Sequence, residues 1–164
     1  MIKKLSWTLL ALAAAMLPLA PQARADSVLL TIGSQSIPQG STVVDFMATI
    51  AAPSTNSGTI FLNSDSFTID SPLSLDDLPF LLNFPFTLNP GQSVTDVLFE
   101  VTVPAGIHFG LYSGDFAVLG GANGGALNNI SGNVPFSLQV TPEPSTWLLL
   151  GSLLSMAALC KKRA

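Results

Sequence analysis

His108 is the only histidine of the chain, and the segment around it, residues 26–141, contains no Cys, Lys or Arg. Imidazole–thiol and lysine nucleophiles are therefore absent there, and no cationic side chain can meet a developing negative charge. The remaining reactive groups are acids. Asp76-Asp77 and the Asp65/Asp70 pair are the candidates for acid–base work. Adjacent residues on a strand point to opposite faces, however, and spacing alone sets no carboxylate separation. Solvated surface charge is their default reading, and His108 reads as a loop histidine. Oxygen ligands for calcium are plentiful, yet the Asp-x-Asp-x-Asp-Gly spacing of a calcium loop is missing. The glycine-rich stretch LGGANGGALNNISG, residues 119–132, lacks the Gly-Lys-Ser/Thr ending of a phosphate loop and reads as a flexible inter-strand loop. The expectation is a non-enzymatic domain with no cofactor and no metal site.

Charge is sharply partitioned. All six cations lie at the chain ends: Lys3, Lys4 and Arg24 on one side, Lys161, Lys162 and Arg163 on the other. Residues 26–141 carry eight Asp and one Glu, a side-chain charge of −9. Such a surface cannot neutralise phosphates, so nucleic acid and anionic lipid surfaces are poor partners for it. Lys and Arg ion pairs are equally impossible within it. The single cysteine, Cys160, falls in an apolar run near the C-terminus, which leaves this segment without a disulfide. Apolar packing and backbone hydrogen bonds must hold the fold.

Alternation with period two supplies the elements that do so. In TVVDFMATI, Val44, Phe46, Ala48 and Ile50 share a face; in VTDVLFEVTV, Val97, Phe99, Val101 and Val103 oppose Asp96, Leu98, Glu100 and Thr102; in VPFSLQV, Val134, Phe136, Leu138 and Val140 share a face. Shorter runs repeat the pattern at Val28/Leu30/Ile32, Phe67/Ile69, Phe84/Phe86/Leu88 and Tyr112/Gly114/Phe116/Val118, with residues 59–62 a weaker eighth strand. Turn signals separate them: Pro38-Gln39-Gly40, Asn56-Ser57-Gly58, Asn89-Pro90-Gly91 and Pro104-Ala105-Gly106. All ten Phe fall in this segment, most on the inferred inward faces. Tyr112, near a strand start, is positioned to close back on the loop after Pro104 as a tyrosine corner. The apolar stretch LPFLLNFPF, residues 78–86, reads as a buried strand and its approach; exposed, it would be an association patch. The expected fold class is all-β: a single immunoglobulin-like antiparallel β-sandwich ectodomain over residues 26–141, with a barrel second.

The two ends read as addresses. Lys3 and Lys4 precede an apolar run over residues 5–17, and Ala23-Arg24-Ala25 supplies a small-x-small site, so residues 1–25 form a signal peptide with Ala23 and Ala25 defining the cut. At the other end, residues 147–160 are apolar and Lys161, Lys162 and Arg163 follow at once. As a helix that run reaches about 21 Å, short of a ~30 Å hydrocarbon core. The three cations resist translocation and act as a stop-transfer cluster. Thr141 and Glu143 each precede a proline and are pushed toward extended geometry, which makes a stiff segment before the expected transmembrane helix.

Pro142, Glu143, Pro144, Ser145 and Thr146, followed by Trp147, an apolar run and a basic end, resemble the PEP-CTERM sorting signal of Gram-negative bacteria over residues 142–164. Lys-Lys-Arg stands where that family often has arginines. The resemblance implies processing by an exosortase after export by the secretion machinery, a transient inner-membrane stage held by residues 147–160, and delivery to the cell surface or extracellular matrix. Exopolysaccharide is the further partner it implies. The resemblance is specific for sorting and silent about residues 26–141. For these, a structural or adhesive role is the first expectation and a carbohydrate-binding module the alternative. Both Trp residues lie outside the segment, which weakens the sugar reading unless exposed Phe serves as a platform.

Overall fold

The structure, a computed structural model, describes residues 26–142 and 148–152. The elements run in the order β1 (Leu29–Ile32), β2 (Gln35–Pro38), β3 (Val43–Ala51), β4 (Ile60–Ile69), β5 (Ser74–Asp76), α1 (Leu78–Asn83), β6 (Thr87–Leu88), β7 (Ser93–Thr102), β8 (Gly110–Gly121), β9 (Asn128–Asn129) and β10 (Val134–Thr141). Four strands form one sheet in the order β1-β3-β7-β5. The second sheet runs β2-β10-β8-β4-β6, with β9 paired to β8.

Alternation puts the expected faces inside. Val44, Phe46, Ala48 and Ile50 of β3 are buried, as are Phe136, Leu138 and Val140 of β10. The two inner faces meet through phenylalanine. Phe99 on β7 lies 5.3 Å from Phe116 on β8 and 4.7 Å from Phe136 on β10, ring centre to ring centre, and Phe46 on β3 lies 5.2 Å from Phe136. Offset and edge-on contacts at these separations add to the burial of each ring. The result is an all-β, sandwich-like fold. Six of the ten Phe are buried, whereas Phe86 and Phe109 are 74% and 66% exposed.

The turns follow the Pro and Gly signals. Pro90 and Gly91 make a tight turn in which the Gln92 N–H donates to the Asn89 carbonyl at 3.0 Å, and Gly91 adopts φ 84°, a conformation glycine takes without strain. The Tyr112 hydroxyl donates to the His108 carbonyl at 2.9 Å, closing the β7–β8 connection as expected.

Several expectations need correction. The sandwich is not purely antiparallel: β2 pairs parallel to β10, Gln35 opposite Leu138 and Pro38 opposite Thr141. The chain crosses between sheets at Gly33-Ser34, so its first two strands serve different sheets. On β7 a bulge resets the alternation. Phe46 pairs with Phe99 and Met47 with Val97, so Leu98 is an extra residue, and both Leu98 and Phe99 are buried. Residues 59–62 are not a separate strand but the start of β4, which continues to Ile69 across a bulge at Asn63. The Asn63 amide uses that bulge to donate to the Asn123 and Ala126 carbonyls at 2.9 and 2.8 Å. Residues 119–132 are not one loop, because β8 runs to Gly121 and β9 returns beside it. A side chain at Gly120 would collide with the Phe61 backbone.

Residues 78–83 form α1 instead of a strand. Pro79 sits in its first turn, where the missing N–H costs nothing, and Phe80 and Phe84, four apart, share the buried side. The expected transmembrane helix over 147–160 falls largely outside the described residues. Leu148 to Ser152 are helical, and among the described residues no helix is long and apolar enough to cross a membrane.

Candidate functional site

The acids of residues 26–141 divide into three settings. Asp26, beside the expected signal-peptide cut, receives the Ser57 N–H on one carboxylate oxygen and the Ser57 hydroxyl on the other, both at 2.7 Å. These two donors, backbone first, hold the Asp26 carboxyl below its ordinary range. Asn56 reinforces the tie, donating to the Ser27 carbonyl at 2.8 Å.

The second setting is a row across the outer face of the four-stranded sheet. Asp45 on β3 stands opposite Glu100 on β7, which stands opposite Asp76 on β5. Like charges directly opposite one another disfavour strand pairing. Asp76 accepts the Leu78 N–H at 3.0 Å. Among the described residues no group of three His, Cys, Asp or Glu is placed to hold a metal ion.

The third setting is a pair that neither candidate doublet anticipated. The charge that bears on Asp65 of β4 is that of Asp77, not of Asp70. Asp70 instead accepts the Ser113 N–H at 2.8 Å and is committed to β8. Asp76 and Asp77 diverge, one into the acidic row and the other toward β4. Burial first, then the charge of Asp77, push the Asp65 carboxyl up to about 7. No sequence spacing links Asp65 to Asp77, because each is positioned by a different element. Pro79, just after Asp77, was the one local sign that the chain turns there.

Beside this pair lies apolar surface. Leu78, Leu81, Leu82 and Phe86 are exposed, Leu82 by 72%. The reading of residues 78–86 as a buried strand and its approach holds for Phe80 and Phe84 as burial only, while Leu78, Leu81, Leu82 and Phe86 form the exposed patch of its alternative. His108 is exposed in the β7–β8 connection.

At the C-terminal edge, β10 is fastened up to its last residue. The Gln39 N–H donates to the Thr141 carbonyl at 2.8 Å, and the Thr141 hydroxyl donates to the Ile37 carbonyl at 3.0 Å. Pro142 follows directly and is half-buried. Glu143, Pro144, Ser145 and Thr146 lie outside the described residues, as do Ala23, Ala25, Lys161, Lys162 and Arg163. Leu148, Leu149 and Leu150 are exposed.

No family model matches the chain, and no curated protein does. Among solved structures, the chain is similar to native alpha-2-macroglobulin from Escherichia coli, in a structure spanning domain MG7 to the C-terminus. The identity is 16% and the TM-score 0.46, over 72% of this chain and 17% of that one.

Proposed function

We propose that this is an exported surface or extracellular-matrix protein, sorted by an exosortase, whose sandwich does structural or adhesive work alongside exopolysaccharide. The observation that carries the reading is the junction at Thr141. The folded domain is hydrogen-bonded to its final strand residue, and the Pro142-Glu143-Pro144-Ser145-Thr146 sequence begins at the next position. A processing enzyme would thus meet the motif directly outside the last fastened strand residue. Residues 147–160 hold the precursor in the inner membrane, and Lys161, Lys162 and Arg163 keep its end inside. The domain acts without catalysis and without a cofactor; its lack of Lys, Arg and Cys supports this.

The sandwich is immunoglobulin-like in this reading. The order β1-β3-β7-β5 corresponds to strands A, B, E and D, and β10-β8-β4 to G, F and C, with β6 beyond C. Tyr112 near the start of the F-equivalent strand matches a tyrosine corner. The phenylalanines of β3, β7, β8 and β10 fill the interior where antibody domains place their inter-sheet disulfide.

Mass spectrometry of the protein from its native host tests the sorting. The mature C-terminus is expected between residues 141 and 146, with 147–164 missing. Glu143→Ala is expected to leave membrane insertion intact and to reduce release. A mature protein that still carries Lys161 to Ala164 replaces sorting by permanent anchorage. The carbohydrate-binding reading is favoured by one observation: Phe86 and Phe109 are exposed and offer the aromatic faces that the absence of Trp withholds. Binding on a glycan array that is lost on Phe86→Ala or Phe109→Ala would establish it.

A further inference from the structure

The end of the domain from which the chain leaves carries an exposed phenylalanine on a pinned loop. Phe109 is 66% exposed, and Leu111, two residues on, is 63% exposed. The two carbonyls before Phe109 are both tied. That of Ile107 accepts the Gln39 amide at 2.6 Å, and that of His108 accepts the Tyr112 hydroxyl at 2.9 Å. Gln39 also joins this loop to the final strand, since its backbone N–H donates to the Thr141 carbonyl. Gly110, directly after Phe109, pairs with Val140, so the ring stands within one rung of the last fastened residue. A ring already held in place loses little conformational freedom when another surface covers it. The loops flanking Thr141, residues 38–42 and 103–109, contain no carboxylate, and His108 is the only titratable side chain in them.

We propose that Phe109 and Leu111 are a lipid foot, which rests in the headgroup layer of a zwitterionic membrane surface and holds the Thr141 end of the domain against it. The inference rests on the reading that residues 147–160 are inserted in the membrane. Chain length argues for this occupant. Five residues separate Pro142 from Trp147, a reach of at most about 18 Å when fully extended. Headgroups add roughly 5–8 Å on each side of the hydrocarbon core, so Pro142 stays within roughly 10–13 Å of them if the apolar run starts at the core boundary. A domain of this length has a radius of gyration of roughly 13 Å, too large for such a gap unless its Thr141 end lies against the surface. Phe86 is also exposed but belongs to the far end. Its carbonyl accepts the Leu62 N–H, and Leu62 pairs with Gly120, roughly 33 Å along β8 from Gly110. Charge selects the lipid: a domain at −9 without Lys or Arg is repelled by anionic headgroups, and zwitterionic ones carry no net charge to oppose it.

Photo-crosslinking of the full chain in phosphatidylcholine nanodiscs tests the foot. p-Benzoylphenylalanine is placed at one position at a time, and lipid adducts are read by mass spectrometry. Position 150 reports the tail, position 109 the foot and position 86 the far end of the sandwich; all three side chains are exposed, so the fold tolerates the change. Adducts are expected at 150 and at 109, with the yield at 109 several-fold above that at 86. Adducts at 150 with none at 109, or with equal yields at 109 and 86, overturn the foot and leave the membrane anchor standing. No adduct at 150 overturns the anchor and the foot with it. In phosphatidylglycerol nanodiscs the yield at 109 is expected to fall several-fold, and an undiminished yield overturns the assignment to zwitterionic lipid. Adducts at 109 with an added neutral dextran, in place of lipid, assign the ring to sugar and overturn the foot.

Discussion

Phe99 packs against phenylalanines from three other strands, on β3, β8 and β10, whereas Asp65 is half-buried under the charge of Asp77. Both sit in a domain without Lys, Arg or Cys, and they show the two ways such a domain holds together. The interior relies on contacts indifferent to pH. The rim satisfies its acids with backbone N–H groups and hydroxyls, as Ser57 does for Asp26, or leaves them raised by burial, as at Asp65. Losing every cation thus does not merely subtract ion pairs; it makes stability respond to pH through individual carboxyls.

The widest separation of the two regions is expected from Phe99→Ala. Removing a fully buried ring from the centre of the stack costs about 3–5 kcal/mol. Urea unfolding at pH 5 and pH 8 should give the same loss at both; a loss that depends on pH would place Phe99 under the control of the rim. Next comes Asp65→Asn. Because the folded carboxyl binds its proton more tightly than the unfolded one, the wild-type protein should lose stability from this group as pH rises from about 4 to about 7. The Asn variant should lack that slope and be the more stable protein at pH 8, by on the order of 1 kcal/mol once solvent screening of this half-buried group is allowed for. A variant less stable at pH 8 would show that the ionised pair is tolerated.

Asp26→Asn should have the smallest effect and the opposite sign. Its folded carboxyl is held low, so its stabilisation is present at neutral pH and vanishes as pH falls through that lowered value. The wild-type advantage over the variant should therefore be measurable at pH 7 and absent in acid. An advantage that grows on acidification would mean that Ser57 is not the cause.

Legibility from sequence follows the same division. Strands β3 and β10 were readable because each keeps one parity along its described core face, from Val44 to Ile50 and from Phe136 to Val140. Parity failed at Leu98, where a bulge inserts a residue and turns two consecutive side chains inward. It misled at Phe84, Phe86 and Leu88, whose spacing of two imitates a strand while Phe80 and Phe84 follow the helical period. Gly120 and Gly121 resembled loop residues, though Gly120 is required by the closeness of the Phe61 backbone. The turns at Gly91 and Gly106 were visible because positive φ leaves a residue-type signature. The Asp65–Asp77 pair had no such signature, since a strand and a helix entry meet there only through the packing of both sheets. The sorting motif stood at the other extreme, legible as a linear string that needs no fold.

The parallel pairing of β2 with β10 has a mechanical consequence. The chain enters this pair at Gln35 and leaves it at Thr141, from opposite ends of the ladder. Tension between the two termini therefore slides the strands past one another and loads their hydrogen bonds together, in shear, not one at a time as in an unzipping hairpin. Force applied beyond Thr141 would thus meet this ladder along its most resistant direction, with Thr141 as its last fastened link.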